Sequence, residues 1–191
     1  VLVAGIIVST VFAIGQARSR AEAQAVISFL KEDVFGTMDD TGTREVTAGY
    51  FLDNATQNLQ SKFKDQPLIE ASIRDTLGWI YRGLGEMEKA EQHFERALKL
   101  RQEHLGAEHP STVTCMYRLA YIYGKQGRYS EAEALYLKTH EIRRRVLGED
   151  RADTVNCMNR LAWLYTEQGR YDEAESLFKE ALNTGQLTAA L

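Results

Sequence analysis

The residues of this chain whose types could do chemistry are four histidines, two cysteines, a run of three arginines and a few glycine-flanked turns. Histidines ligate zinc when their spacing puts them on one helix face. His104 and His109 stand five apart across a junction, which reads as surface or capping positions. Cys115 and Cys157 are 42 residues apart. If they occupy equivalent places on stacked helices they lie roughly 8–10 Å apart, whereas a disulfide needs Cα atoms within about 7 Å. Both are expected to be free, small and buried. Arg143, Arg144 and Arg145 form a tight basic run in the last turn of an expected helix, where cations complement the helix dipole; the expectation is a solvated end. Asn54-Ala55-Thr56 spells a glycosylation sequon, and chance is the better reading.

Phosphate chemistry finds no machinery. Gly83-Leu84-Gly85 lacks the third glycine of a nucleotide loop, and no HRD or DFG element occurs. Gly124-Lys125 lacks the upstream glycine and the following Ser or Thr of a P-loop. The expectation is therefore a chain with no catalytic residue, no metal and no small-molecule cofactor. A net charge of −4 with no basic stripe gives no case for nucleic acid. With 44% apolar and 26% charged residues the composition is that of a folded region.

The elements that must position any site are repeated. Gly85, Gly127 and Gly169 are each 42 residues apart, and the segments around them read GWIYRGLGEMEKAEQHFERAL, AYIYGKQGRYSEAEALYLKTH and AWLYTEQGRYDEAESLFKEAL. A period of this size means stacked helix pairs. First helices are expected over about 67–83, 110–125 and 152–167, and second helices over about 87–104, 129–146 and 171–183. Leu77, Leu119 and Leu161 form an apolar column, as do Tyr81, Tyr123 and Tyr165. Gly78, Ala120 and Ala162 are small, as are Ala90, Ala132 and Ala174. Phe94, Tyr136 and Phe178 supply aromatic fill between pairs. At the junctions Gly106 and Gly148 are expected to end helices in a left-handed conformation, with Ser111, Thr112, Asp153 and Thr154 offering polar atoms to the next helix start.

Upstream, residues 44–64 read as a packing helix with Val46, Tyr50, Leu52, Ala55, Leu59 and Phe63 on one face. Residues 18–35 read as a helix rich in Ala, Arg and Glu, followed by a loop through 43. Residues 1–17, VLVAGIIVSTVFAIGQA, carry no charge. A span needs about 20 apolar residues, and the expectation is a truncated transmembrane helix. A signal peptide cleaved after Gly15-Gln16-Ala17 and a buried helix are the rivals.

The columns Leu-Gly/Ala, Tyr, Gly, Ala, aromatic, Ala resemble the tetratricopeptide pattern: Leu77, Gly78, Tyr81, Gly85, Ala90, Phe94 and Ala97 in the first copy, and Leu161, Ala162, Tyr165, Gly169, Ala174, Phe178 and Ala181 in the third. The second copy departs at Thr139, where its last turn is expected to pack less tightly. The 42-residue period and the Leu105-Gly106…His109-Pro110 junction resemble the kinesin-light-chain type, and Arg151-Ala152 departs from it. The resemblance implies an all-α, right-handed α-solenoid of three repeats, 67–108, 109–150 and 151–191. It implies a protein or peptide partner in the concave groove. Carried over column by column, the groove residues are Asp75, Trp79 and Arg82; Thr114, Tyr117, Tyr121 and Lys125; and Asn156, Asn159, Trp163 and Glu167. Basic residues are too sparse there for the carboxylate clamp of some relatives. The aromatic column Trp79, Tyr121, Trp163 either anchors a partner or packs between helices.

The order of an apolar stretch, a helix containing Phe29-Leu30, a helix near Leu52-Asp53, Gln66-Pro67-Leu68-Ile69-Glu70-Ala71 and the repeats also looks like the region after the kinase domain in bacterial transmembrane serine/threonine protein kinases. That resemblance implies a membrane anchor through residues 1–17, repeats outside the cytoplasm and a catalytic domain not in this chain. The alternative is an exported periplasmic or secreted adaptor.

Overall fold

A computed structural model describes residues 20–35, 48–57, 59–148 and 151–189. Among these the chain is all helix. Helix α1 covers residues 20–29 and runs into a π-helical turn, Leu30–Phe35; α2 is Ala48–Gln57 and α3 Leu59–Lys62. Three pairs follow: α4 (Pro67–Gly83) with α5 (Met87–Leu105), α6 (Pro110–Lys125) with α7 (Tyr129–Leu147), and α8 (Ala152–Glu167) with α9 (Tyr171–Ala189). From α4 to α9 each helix packs on its neighbours in chain order, as a stack of helix pairs requires. The stretch 1–17 expected to span a membrane lies outside the described residues. Among the described residues no helix is long and apolar enough to cross one.

Local chemistry sets the helix ends. Pro67 and Pro110 open α4 and α6, where the missing N–H costs nothing. Within each pair the chain turns through a glycine at positive φ, for example Gly127 at 77°. The next amide then reaches back to the tyrosine carbonyl five residues earlier, at 2.9 Å for Arg128 to Tyr123 and for Arg170 to Tyr165, which satisfies carbonyls the helix leaves open. The junction glycines depart from expectation. Gly106 (φ 90°, ψ 162°) and Gly148 (φ 105°, ψ 160°) do not take the left-handed helical conformation. They sit in the extended mirror region that is essentially closed to any residue with a Cβ.

The columns form the core. Leu77, Tyr81, Ala90 and Phe94 in the first pair, Leu119, Ala120, Tyr123, Ala132 and Tyr136 in the second, and Leu161, Leu164, Tyr165 and Ala174 in the third are all buried in one cluster. Gly78 is small for a definite reason: a Cβ there would stand 2.8 Å from the Phe94 ring. Thr139 is completely buried, and its hydroxyl lacks a hydrogen-bond partner. Both cysteines are free and buried, as their spacing implied.

The upstream helices join the same core through Phe29, Leu52 and Leu59. The expected 44–64 helix is divided into α2 and α3. Val46 lies outside the described residues, as do the side chain of Tyr50 and the loop 36–43. In register, helix α2 corresponds to part of a second helix. Ala48, Leu52 and Asp53 stand 42 residues before Ala90, Phe94 and Glu95, and Asp53 accepts the Tyr81 hydroxyl at 2.7 Å just as Glu95 accepts Tyr123 at 2.9 Å.

Candidate functional site

The groove positions lie on the first helices α4, α6 and α8, and the structure sorts them into three groups. One is the aromatic line. Trp79 and Trp163 remain 39% and 57% exposed although each sets its ring edge-to-face against a core aromatic, Phe94 at 6.3 Å and Phe178 at 5.9 Å. Packing and exposure therefore coexist: one part of each indole is fixed by the core and the rest faces solvent. Tyr121 is half-buried between them in the sequence of repeats. Tyr117, not Tyr121, makes the equivalent ring contact in the middle pair, 5.6 Å from Tyr136.

Cations interleave with these rings. Arg82 lies 4.1 Å from the Trp79 ring centre and 5.5 Å from Tyr121, so a single guanidinium joins two repeats. Arg118 sits over Trp79 at 5.3 Å, and Arg160, one period later, over Tyr121 at 5.2 Å; Lys125 is 5.8 Å from Tyr121. Each such contact contributes about 0.5–1 kcal/mol when exposed. Arg118 and Arg160 were not among the positions carried over from the family pattern. Their signal in the sequence was present, a basic residue recurring at 42 in two of three copies.

The second group is internal. Asp75 is buried beneath Arg118, which binds it directly, with Arg101 at 3.6 Å. Asp75 thus serves to hold a cation in place rather than to face a ligand. Tyr117, one period on, does the same for Arg160, accepting its hydrogen bond at 3.2 Å. The third group stands apart. Thr114 bonds back to the Pro110 carbonyl at 2.9 Å and lines a different, smaller cleft with Ile142 and Val146. Asn156 is exposed and Asn159 half-buried on α8.

Four of the named residues, Tyr121, Lys125, Trp163 and Glu167, meet in one open cleft of about 260 Å³ between α6 and α8, with Tyr136 at its floor and Arg160 at its side. Gly124 keeps the floor narrow: a Cβ there would approach Leu164 to 3.2 Å. The cleft presents aromatic faces, two cations and one carboxylate. Such a set binds by contact and charge; among the described residues there is no cluster of His, Cys, Asp or Glu able to hold a metal.

The basic run 143–145 needs correction. Arg143 is not solvated but 7% exposed, donating to the Asp153 carbonyl at 2.8 Å and to the Cys157 sulfur at 3.2 Å. Arg101, one period earlier, does the same toward Ser111 and Cys115. These arginines tie each second helix to the start of the next first helix. Burial pushes the Cys115 thiol up to about 12, a shift that Asp75 reinforces and Arg101 partly offsets, and burial likewise raises Cys157. Neither sulfur is a nucleophile at neutral pH. His109 caps α6, its Nδ1 accepting from the Ser111 amide at 3.3 Å, which confirms the capping role of that histidine.

Comparison with known proteins agrees with this geometry. The tetratricopeptide repeat family model matches residues 69–139 and 112–185. The structure of BtubC (BKLC) from P. vanneervenii is similar, with TM-score 0.64 and 22% identity over 87% of this chain and 72% of that one. A putative kinesin light chain with nearly identical TPR-like repeats from Podosopora anserina is similar with TM-score 0.60 and 19% identity, over 90% and 96%. At these identities the likeness is one of fold. No curated protein matches the chain.

Proposed function

The chain belongs to the tetratricopeptide repeat family, and on that premise we propose that it is a non-catalytic scaffold that holds an extended peptide segment of a protein partner in the groove formed by α4, α6 and α8. The observation that carries this reading is the alternation of Trp79, Arg82, Tyr121, Arg160 and Trp163 across three repeats, with an open cleft where the last three meet. Rigid aromatics and arginines are the residues that most often dominate binding energy. Here each ring is fixed on one side by the core, so little conformational freedom is lost on binding. The exposed Trp163 ring would take an apolar side chain of the segment, and Arg160 and Lys125 its carboxylates.

The test is selection of binding peptides from a random display library on the full chain, followed by Trp163→Ala and Arg160→Ala variants. The expectation is at least about a tenfold loss of affinity for each, with unchanged circular dichroism. Selected peptides that bind both variants as well as the parent would remove the groove from the function.

We further propose the cellular setting that the order of elements implies: the sensing or assembly part of a membrane-anchored bacterial serine/threonine kinase, anchored through residues 1–17 with the repeats outside the cytoplasm. The uncharged stretch and the resemblance in element order support it. A kinase domain encoded upstream, with the repeats open to external protease on intact cells, is the expected result. A short basic leader upstream and a mature N-terminus at Arg18 would establish the exported adaptor instead.

A further inference from the structure

The residues that hold the groove arginines are in register but differ in charge. Asp75 on α4 and Tyr117 on α6 stand 42 residues apart, as do the groove arginines Arg118 and Arg160 and the junction arginines Arg101 and Arg143. Asp75 binds Arg118 directly and lies 3.6 Å from Arg101. Tyr117 accepts a hydrogen bond from Arg160 at 3.2 Å, and the Arg143 guanidinium lies 4.8 Å from its ring centre. One position therefore sits between a groove arginine and a junction arginine in both repeats. It is a carboxylate in the first and a phenol in the second. In both cases it comes from the preceding first helix, so the two steps of the groove are directly comparable.

The difference decides what each groove arginine can still bind. A guanidinium already joined to a carboxylate gains little from a second anion, because its charge is compensated. One held by a hydroxyl keeps its charge for a ligand. Arg118 is in the first condition and Arg160 in the second. The groups that act most on Arg160 are Tyr117, Tyr136 and Tyr121, and no carboxylate is among them. Glu167 lines the same cleft without an ion pair to Arg160 or Lys125 among the described residues. Lys125 adds a second cation at this step, where Gly83 holds the register one repeat earlier. Arg82, the other cation near Arg118, lies against the Trp79 and Tyr121 rings with its Nε buried.

We infer that Asp75 and Tyr117 set the charge selectivity of the groove, a reading that rests on the peptide-holding role proposed above. Tyr117 is a positioning residue: it orients Arg160 without neutralising it, so the step between α6 and α8 takes a carboxylate. Asp75 withdraws Arg118 from that task at the step between α4 and α6. The segment held is therefore asymmetric, with an Asp or Glu side chain over Arg160 and an uncharged stretch over Arg118. The carboxylate belongs to a side chain and not to a chain end, because groove aromatics lie to either side of this step, Trp79 on α4 and Trp163 on α8, and the segment runs past it.

The probe is a random peptide display library panned on the full chain. Recovered peptides are synthesised with amidated C-termini. The readout is the affinity ratio between each peptide and its counterpart with Asp or Glu changed to Asn or Gln, a ratio that general loosening of the fold does not move. In the parent it should be about tenfold. Tyr117→Asp, which gives Arg160 the partner that Arg118 has, should bring it to about one. Tyr117→Phe, which adds no charge, should keep it. Circular dichroism checks that the variants fold. If Tyr117→Asp does not, Arg160→Gln and Arg118→Gln carry the test, with the ratio lost in the first and kept in the second. A ratio that survives Tyr117→Asp or Arg160→Gln, or that Arg118→Gln abolishes, overturns the inference. So do peptides that need Trp163 but show no acidic preference, or show it only with a free C-terminus; these leave the groove in place. Recovery of no Trp163-dependent peptide overturns the groove and this inference together.

Discussion

His93 shows how burial converts a single side chain into a pH response. Its ring is 8% exposed, lies parallel to Tyr81 at 5.2 Å, and leaves Nδ1 without a partner. Burial above all, with the Arg74 charge adding to it and Asp53 opposing, lowers its pKa from 6.5 to about 4. The folded chain thus keeps the ring neutral where the unfolded chain takes up a proton. Stability is unaffected by His93 above the unfolded value and falls as pH drops from about 6.5 toward about 4, by up to roughly 3 kcal/mol. His93→Phe keeps the ring and removes the proton site, so urea denaturation of that variant should show a flatter pH dependence across this window. Superimposable curves for the two proteins would refute the assignment. Gly78 makes a steric prediction of the same scale. Gly78→Ala drives a Cβ into the Phe94 ring, and thermal melts should show a loss of about 1–3 kcal/mol. Gly78 was legible as a small column position, whereas the buried roles of His93 and Arg143 were not. Their partners, Tyr81 on another helix and Cys157 in the next repeat, are fixed by packing and not by local spacing.

At the scale of elements, helix positions followed from pattern because apolar columns, prolines and turn glycines all act within a few residues. The bounds of α4, α6 and α8 match the sequence expectation, while α9 runs to Ala189, past the expected end near 183. The junctions differ in kind from the local expectation. A glycine after a helix signals a left-handed cap on local grounds, yet the direction in which the next pair must start demands the extended mirror conformation instead. Gly106→Ala is therefore expected to cost about 1–3 kcal/mol, seen as a lower urea midpoint with an unchanged denaturant slope. A midpoint equal to the parent's would show that the junction can relax.

For the whole molecule, a stack in which each helix touches chiefly its neighbours has stability that varies along its length. Among the described residues Tyr171 and Leu182 of α9 are exposed, whereas α5 and α7 each lie against a following helix, so backbone amides in α9 should exchange with deuterium well before those in α5 through α7; equal protection throughout would contradict this. The sequence by itself determined the repeat, the helix pairs, the core columns and the absence of catalytic motifs, because each is written in residue types at fixed spacing. It also placed Tyr121, Lys125, Trp163 and Glu167 as candidates, through the resemblance. The tertiary structure alone decided that these four meet in one cleft, that Asp75 is spent on Arg118, and that Thr114 lies elsewhere. Those are relations between residues some 40 positions apart, and they exist only once the helices are stacked.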